Sequence, residues 1–150
     1  MIPRLPLSAI SNAPSAASPS PFEPASRTSF GSNTAAPEGF STLSGDDYLA
    51  FPMVCLGAAG GITASAHVCT ARWVALVECG LAGKLDDGRH HHDALLPVVQ
   101  TGFAEPNPAV WKGVLHAQGR IATPDVRMPM ANASTAAIDR CLAAIDRASS

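Results

Sequence analysis

The stretch Leu43 to Val68, LSGDDYLAFPMVCLGAAGGITASAHV, decides how the rest of the chain is read. Ser44-Gly45-Asp46-Asp47 is a turn whose carboxylates suit the N-terminus of a following helix, both as caps and as charges at the positive end of its dipole. Tyr48 to Leu56 is apolar nearly all round, which predicts a buried helix with Tyr48 in the core. Gly60-Gly61 permits a sharp backbone turn into a second strand, Ile62 to Ala66, and Gly39 to Leu43 reads as the first. Strand, crossover helix and strand make a βαβ unit, with parallel strands joined right-handed.

Downstream the pattern is helical. Thr70 is placed to N-cap a helix carrying Trp73, Val74, Leu76, Val77 and Leu81 on one face and ending at Gly83. Leu85 to Ala104 has Leu95, Leu96, Val98, Val99 and Phe103 on its core side, with Pro97 inside and a kink expected near His92 to Asp93. Asn107 reads as an N-cap and Pro108 as the first residue of a helix reaching Gln118, which Gly119 stops. Ile121 to Met130, with Pro124 and Pro129, is expected to run extended. A last amphipathic helix, Ser134 to Arg147, sets Ile138, Cys141, Leu142 and Ile145 at core spacing. The fold class is therefore α/β but mostly helical, and two strands do not close a domain.

Upstream, residues 1–38 are dominated by Ser, Pro and Ala without helical or strand period, which predicts a disordered segment. Leu5 to Ile10 is too short and too broken by proline for a secretory signal. The abrupt change of composition near Glu38 fits a shifted reading frame or a misplaced start before residue 39. The organisation is thus 1–38 as a Pro/Ser/Ala-rich segment and 39–150 as the folded part.

With 47% hydrophobic and 15% charged residues over 150 positions, the chain can build one core. Its net charge of −2 gives no electrostatic case for nucleic acid, and no apolar run nears the ~18 residues of a membrane span. Cys55, Cys69, Cys79 and Cys141 form no CxxC pair, so buried reduced thiols and a cytoplasmic location are expected.

Candidate chemistry is sparse. Asp46 and Asp47 are adjacent and cannot face each other as an acid–base pair, so capping explains them unless they lie at the C-terminal end of a barrel strand. His90-His91-His92 point about 100° apart on a helix and cannot converge on one ion, which leaves a solvated face and no metal site. Lys84 and Lys112 are the only lysines; the first lies in a turn and the second in a helix. Neither has the desolvated strand-end setting of a Schiff-base lysine, so a surface role and a structural contact are expected. No phosphate loop, GxSxG or HExxH occurs, and no cofactor is expected.

Four motifs in order, LSGDD, LGAAGGIT, LLPV…FAEPNP…K and TPDVRMPM, closely resemble the last third of the 4-hydroxy-tetrahydrodipicolinate synthase family, pyruvate-dependent class I aldolases related to N-acetylneuraminate lyase. The resemblance covers about Gly39 to Ala148, and SGDD with EPNPxxxK favours the dipicolinate branch. It implies an incomplete TIM (β/α)8 barrel: Phe40 to Leu43 as seventh strand, Gly61 to Ser65 as eighth, and C-terminal helices from Thr70. It further implies a lyase that condenses pyruvate, held as a lysine Schiff base, with aspartate semialdehyde in lysine biosynthesis, as a cytoplasmic homo-oligomer. Residue by residue, Ile62 matches the position whose main-chain carbonyl lies against pyruvate, and Gly45, Asp46 and Asp47 match the substrate-binding rim. His67 stands where relatives carry asparagine. The family's GTTGE, its YNxP tyrosine and arginine, and its sixth-strand lysine have no counterpart in these residues, so no catalytic residue is assigned. An inactive piece of the enzyme is expected, poorly soluble or dependent on another chain because its strand edges are unpaired. The alternatives are a non-catalytic module docking on intact family members and an unrelated small helical protein.

Overall fold

In the computed structural model, Pro37 and residues 39–149 are described. The disorder expected of residues 1–38 therefore lies, Pro37 apart, outside them. The elements run β1 (Leu43–Ser44), α1 (Ala50–Cys55), β2 (Gly60–Gly61), a 3-10 turn (Ser65–His67), α2 (Thr70–Leu81), α3 (Leu85–Gly102), α4 (Ala109–Ala117) and α5 (Thr135–Ser149). β1 and β2 pair in parallel, with Leu43 opposite Gly60 and Ser44 opposite Gly61. The βαβ unit is present, but its strands are shorter than the sequence implied and shifted along it.

The expected strand Ile62 to Ala66, or Gly61 to Ser65 by resemblance, is replaced by two paired glycines and a 3-10 turn. Its N–H groups at Ala64 and Ser65 go to the Asp47 carboxylate, 3.1 and 2.8 Å away, and not to a neighbouring strand. Likewise Gly39 to Thr42 lies before the ladder, which starts at Leu43. Two strands offer each residue one partner strand, and pairing persists only where the two come closest.

α1 is a corrected element. It starts at Ala50, not Tyr48, and buries Ala50, Phe51 and Val54 while Leu49 and Leu56 stay exposed. Tyr48 is 39% exposed and not in the core, because the turn before α1 points it outward. One face of the helix is buried, not all of it.

α2 lays Trp73 and Leu76 into the core, whereas Val74 and Leu81 of its expected apolar face are exposed. Thr70 is the first helical residue, not the cap, and its hydroxyl donates to the Ala66 carbonyl at 2.6 Å. α2 packs on α3 and α1, and α3 on α5. Gly88 and Gly102 make two close approaches possible: a Cβ at Gly88 would overlap the Phe51 ring, and one at Gly102 the Trp111 indole. Pro97 lies within α3, and the Thr101 hydroxyl donates to its carbonyl at 2.7 Å.

Pro108 occupies the N-cap position of α4, so Asn107 does not cap it and Pro108 does not open it. Gly119, with φ +71°, ends this helix as expected. Residues 121–130 form no helix or strand, and the Lys112 ammonium donates to the Asp125 carbonyl there, the structural contact expected of Lys112. Ser134 caps α5 through the Ala137 N–H at 3.2 Å, and the Glu105 carboxylate accepts from the Ser134 hydroxyl at 2.5 Å and its N–H at 3.0 Å. Cys141, Ala144 and Ile145 of α5 join Leu95, Val98, Val99, Val110 and Val114 in one core. All four cysteines are free; Cys69 and Cys141 are buried, Cys79 is half-buried, and Cys55 is exposed because it ends α1 on its outer side.

Candidate functional site

Parallel pairing sends both strands out of the sheet on the same side. Gly45, Asp46 and Asp47 follow β1, and Ile62 and Thr63 follow β2, so the four residues singled out from the sequence leave from one edge. The Ile62 N–H donates to the Ser44 carbonyl at 2.7 Å and locks the two exits together. The carboxyl end of a parallel sheet is where α/β folds set their chemistry, because the loops there vary without disturbing the strands.

The turn itself is built from side chains. Ser44 is buried and its hydroxyl donates to the Asp46 carbonyl at 2.9 Å. Asp46 Oδ1 accepts from the N–H groups of Tyr48 at 2.7 Å and Leu49 at 3.3 Å, which serves the backbone ahead of α1. Gly45 and Asp46 are exposed, and a Cβ at Gly45 would meet nothing within 4 Å.

Asp47 behaves differently from its neighbour. It is 4% exposed, and it caps the far side of the unit, not α1. Its Oδ1 takes the Ala64 N–H, and its Oδ2 takes the Ser65 N–H and, at 2.5 Å, the Ser65 hydroxyl. Ser65 Oγ in turn accepts from Trp73 Nε1 at 3.0 Å. A buried anion needs several donors to offset its lost hydration, and three converge here. The chain Asp47–Ser65–Trp73 thereby ties the turn after β1 to the first helix after β2. Sequence reasoning missed Ser65 and Trp73 as partners, since separations of 18 and 8 residues leave no local signal.

Ile62 has the opposite character: its side chain is 73% exposed at the sheet edge. A groove of about 380 Å³ opens beside it, between β2 and α2, lined by Leu43, Gly60, Gly61, Trp73, Val74 and Val77 among others. Gly45, Asp46, Asp47 and Ile62 do not line this groove.

Other ionisable groups give little chemistry. Burial pushes the Cys69 and Cys141 thiols up, against the pull of Arg72 on Cys69 and of a Thr101 hydrogen bond on Cys141. Protonated thiols of this kind are poor nucleophiles and poor metal ligands. His91 is pushed down by burial, then by the Arg72 and His90 charges, with Asp87 opposing. His90 is exposed, whereas His92 is half-buried with its ring 5.6 Å from that of Phe51, so the run is not wholly a solvated face. Among the described residues no three His, Cys, Asp or Glu are grouped to hold a metal ion, and no helix is long and apolar enough to cross a membrane.

A parallel strand–helix–strand unit followed by packed helices is compatible with part of an α/β barrel, and comparison with known proteins specifies which. Residues 29–148 match the model of the dihydrodipicolinate synthetase family, and the chain belongs to that family. The 4-hydroxy-tetrahydrodipicolinate synthase of Neisseria gonorrhoeae is 39% identical over 95 residues, which are 63% of this chain and 32% of that enzyme. The chain thus spans about a third of the length of the curated relatives it matches. Among solved structures, the synthase of Methylacidiphilum fumariolicum superposes with a TM-score of 0.71 at 29% identity, over 78% of this chain and 39% of its own. That of Acinetobacter baumannii, crystallised with pyruvate, superposes at 0.68 and 24% identity over 73% of this chain and 38% of its own.

Proposed function

We propose that these residues are the closing segment of a 4-hydroxy-tetrahydrodipicolinate synthase barrel, β1 and β2 being its seventh and eighth strands. In this reading the enzyme is a cytoplasmic homo-oligomeric lyase of lysine biosynthesis, with pyruvate as first substrate and aspartate semialdehyde as second. A lysine amine adds to the keto carbon of pyruvate, water leaves, and the resulting imine lets the methyl carbon lose a proton and attack the aldehyde. The 150 residues supply neither that amine nor the tyrosine that relays protons; Lys84 is exposed at the N-cap of α3 and Lys112 is tied to Asp125. They supply the rim: the Ile62 carbonyl against pyruvate, and Gly45 and Asp46 at the mouth. Asp47 serves it from beneath, by holding Ala64 and Ser65 so that Ile62 keeps its place.

The observation that carries this reading is the Asp47 clamp. It ties SGDD to Ala64 and Ser65, directly after GGIT, at the carboxyl edge of one parallel pair, which is where a (β/α)8 enzyme needs the two motifs. Two mass measurements test it. Residues 39–150 fused behind the leading two thirds of the Neisseria gonorrhoeae synthase, treated with pyruvate and borohydride, should carry one reduced pyruvate adduct and turn over both substrates. The 150-residue chain alone should carry none. A fusion that folds but takes no adduct sinks the proposal, as does an adduct on the chain alone.

A further inference from the structure

A second pocket lies where the first turns of α2 meet α3 and the last turn of α5. Its volume is about 460 Å³, and Arg72, Ala75, His91, Ala148 and Ser149 are among the residues lining it. None of Gly45, Asp46, Asp47 and Ile62 lines it, and among the described residues no carboxylate does. Ala148 is buried and Ala75 half-buried, so apolar walls accompany the two basic side chains.

Those two side chains touch without a counter-charge. Arg72 and His91 are both half-buried, and Arg72 Nη1 stands 3.5 Å from His91 Nδ1. That separation is at the outer limit of a hydrogen bond, so the imidazole does little to satisfy a guanidinium with five N–H donors. Among the described residues the ion pair is Arg89–Asp86, on exposed side chains of α3, and none joins Arg72. Burial, then the Arg72 and His90 charges, hold His91 toward its neutral form, with Asp87 opposing; α5 brings only the uncharged Ala148 and Ser149 to the pocket. The hydroxyls there already donate elsewhere, Thr70 to the Ala66 carbonyl at 2.6 Å and Ser149 to the Ile145 carbonyl at 2.8 Å. What is left to a ligand is the guanidinium fork and the imidazole, a set that suits an anion and repels a cation. A cavity of this size takes more than a bare ion and falls within the range of small-molecule sites.

We propose that this pocket binds a small organic anion, whose carboxylate or phosphate oxygens accept from both Arg72 and His91 while its carbon frame rests against Ala75 and Ala148. An oxyanion between the two basic groups offsets their repulsion, and His91 then takes up a proton. The pocket needs no part of a barrel beyond these residues, so this site and the closing-segment reading stand or fall separately.

The test is NMR of the full 150-residue chain labelled in its histidine rings, with His91→Gln identifying the His91 signal. Sodium phosphate and sodium malonate are titrated in turn against sodium chloride at equal ionic strength. The expected result is a saturable shift of the His91 signal with at least one of the two, and a His91 pKa raised by about one unit at saturation. A tighter response to phosphate assigns the site to phosphorylated ligands, and a tighter response to malonate assigns it to carboxylates. Arg72→Gln should weaken binding by about tenfold or more, with circular dichroism matching the parent. Arg72→Lys keeps the charge without the fork and should weaken it by about threefold, a readout that survives if the glutamine variant fails to fold. Arg140→Gln removes the same charge from an exposed position of α5 that does not line the pocket, and should leave binding unchanged. No saturable shift with either anion overturns the proposal. So does a shift that persists in folded Arg72→Gln, or one that Arg140→Gln weakens equally, since either marks general charge attraction in place of a site.

Discussion

Asp47 and Asp46 are neighbours with opposite fates. Asp46 faces water and serves the two N–H groups just ahead of it, while Asp47 is enclosed and serves residues seventeen and eighteen positions away. Replacing Asp47 with Ala strands the N–H groups of Ala64 and Ser65, and about 2–4 kcal/mol of stability should go with it, read from urea unfolding. Ser65→Ala leaves Trp73 Nε1 buried without its acceptor and should cost about 1–2 kcal/mol. Because both changes break one hydrogen-bonded chain, the double variant should lose at least about 0.5 kcal/mol less than the sum. Glu105 gives a pH signature. Hydrogen bonds from the Ser134 side chain and backbone, helped by Arg140, hold its carboxyl below the ordinary range against a smaller opposing effect of burial. A carboxylate depressed in the folded state contributes stability above its unfolded pKa, and that contribution is lost as pH falls through the lower, folded value. Glu105→Gln should remove this part of the pH dependence while leaving the Ser134 cap on α5 in place. Ser134→Ala should only weaken the pH dependence, since the Ser134 N–H still donates to Glu105, but it adds a cap loss of about 1 kcal/mol that persists at neutral pH. Thermal melts taken from neutral pH down through the carboxylate range distinguish the two.

Helix packing sets the tolerance of whole elements. α3 meets Phe51 of α1 at Gly88 and Trp111 of α4 at Gly102, where any side chain would enter the Trp111 ring. Gly102→Ala should therefore destabilise by about 1–3 kcal/mol or more, although alanine favours helices over glycine by nearly 1 kcal/mol. Gly45→Ala is the useful contrast: a Cβ there meets open space, so the melting temperature should hardly change. If Gly102→Ala instead raised the melting temperature, the seating of Trp111 against Gly102 would be wrong. Most helices could be read from the chain because their apolar residues recur at 3.6-residue spacing: Leu95, Val98 and Val99 in α3, and Cys141 and Ile145 in α5, are buried as their spacing required. Their ends were less legible. Thr70 and Asn107 have the chemistry of caps, yet the Thr70 hydroxyl turns back to Ala66 and Pro108 takes the cap position of α4. A capping side chain has several backbone partners within reach, and only the path of the chain selects among them.

At the scale of the molecule, the exposed apolar residues separate into those that are incidental and those that adjoin the sheet edge. Leu43 and Val74, which line the groove beside β2, are of the second kind. In the fusion with the leading two thirds of the Neisseria gonorrhoeae synthase, Val74 should become buried. Hydrogen exchange over β2 and the first turns of α2 should then slow by at least tenfold relative to the chain alone, with α5 little changed; equal slowing throughout would indicate general stabilisation instead of packing at this edge. The amino-acid sequence alone determined the order of elements, the helical core faces and, through SGDD, GGIT and EPNP, the family, because periodicity and motif spacing are properties of neighbouring residues. It also placed Gly45, Asp46, Asp47 and Ile62 as candidates. Only the tertiary structure decided that β1 and β2 shrink to two paired residues each, that Tyr48 and Val74 face out, and that Asp47 is a buried clamp on Ala64 and Ser65. Strand length and side-chain burial depend on what stands opposite in space, and a carboxylate with several donors in reach is assigned its partners by the fold.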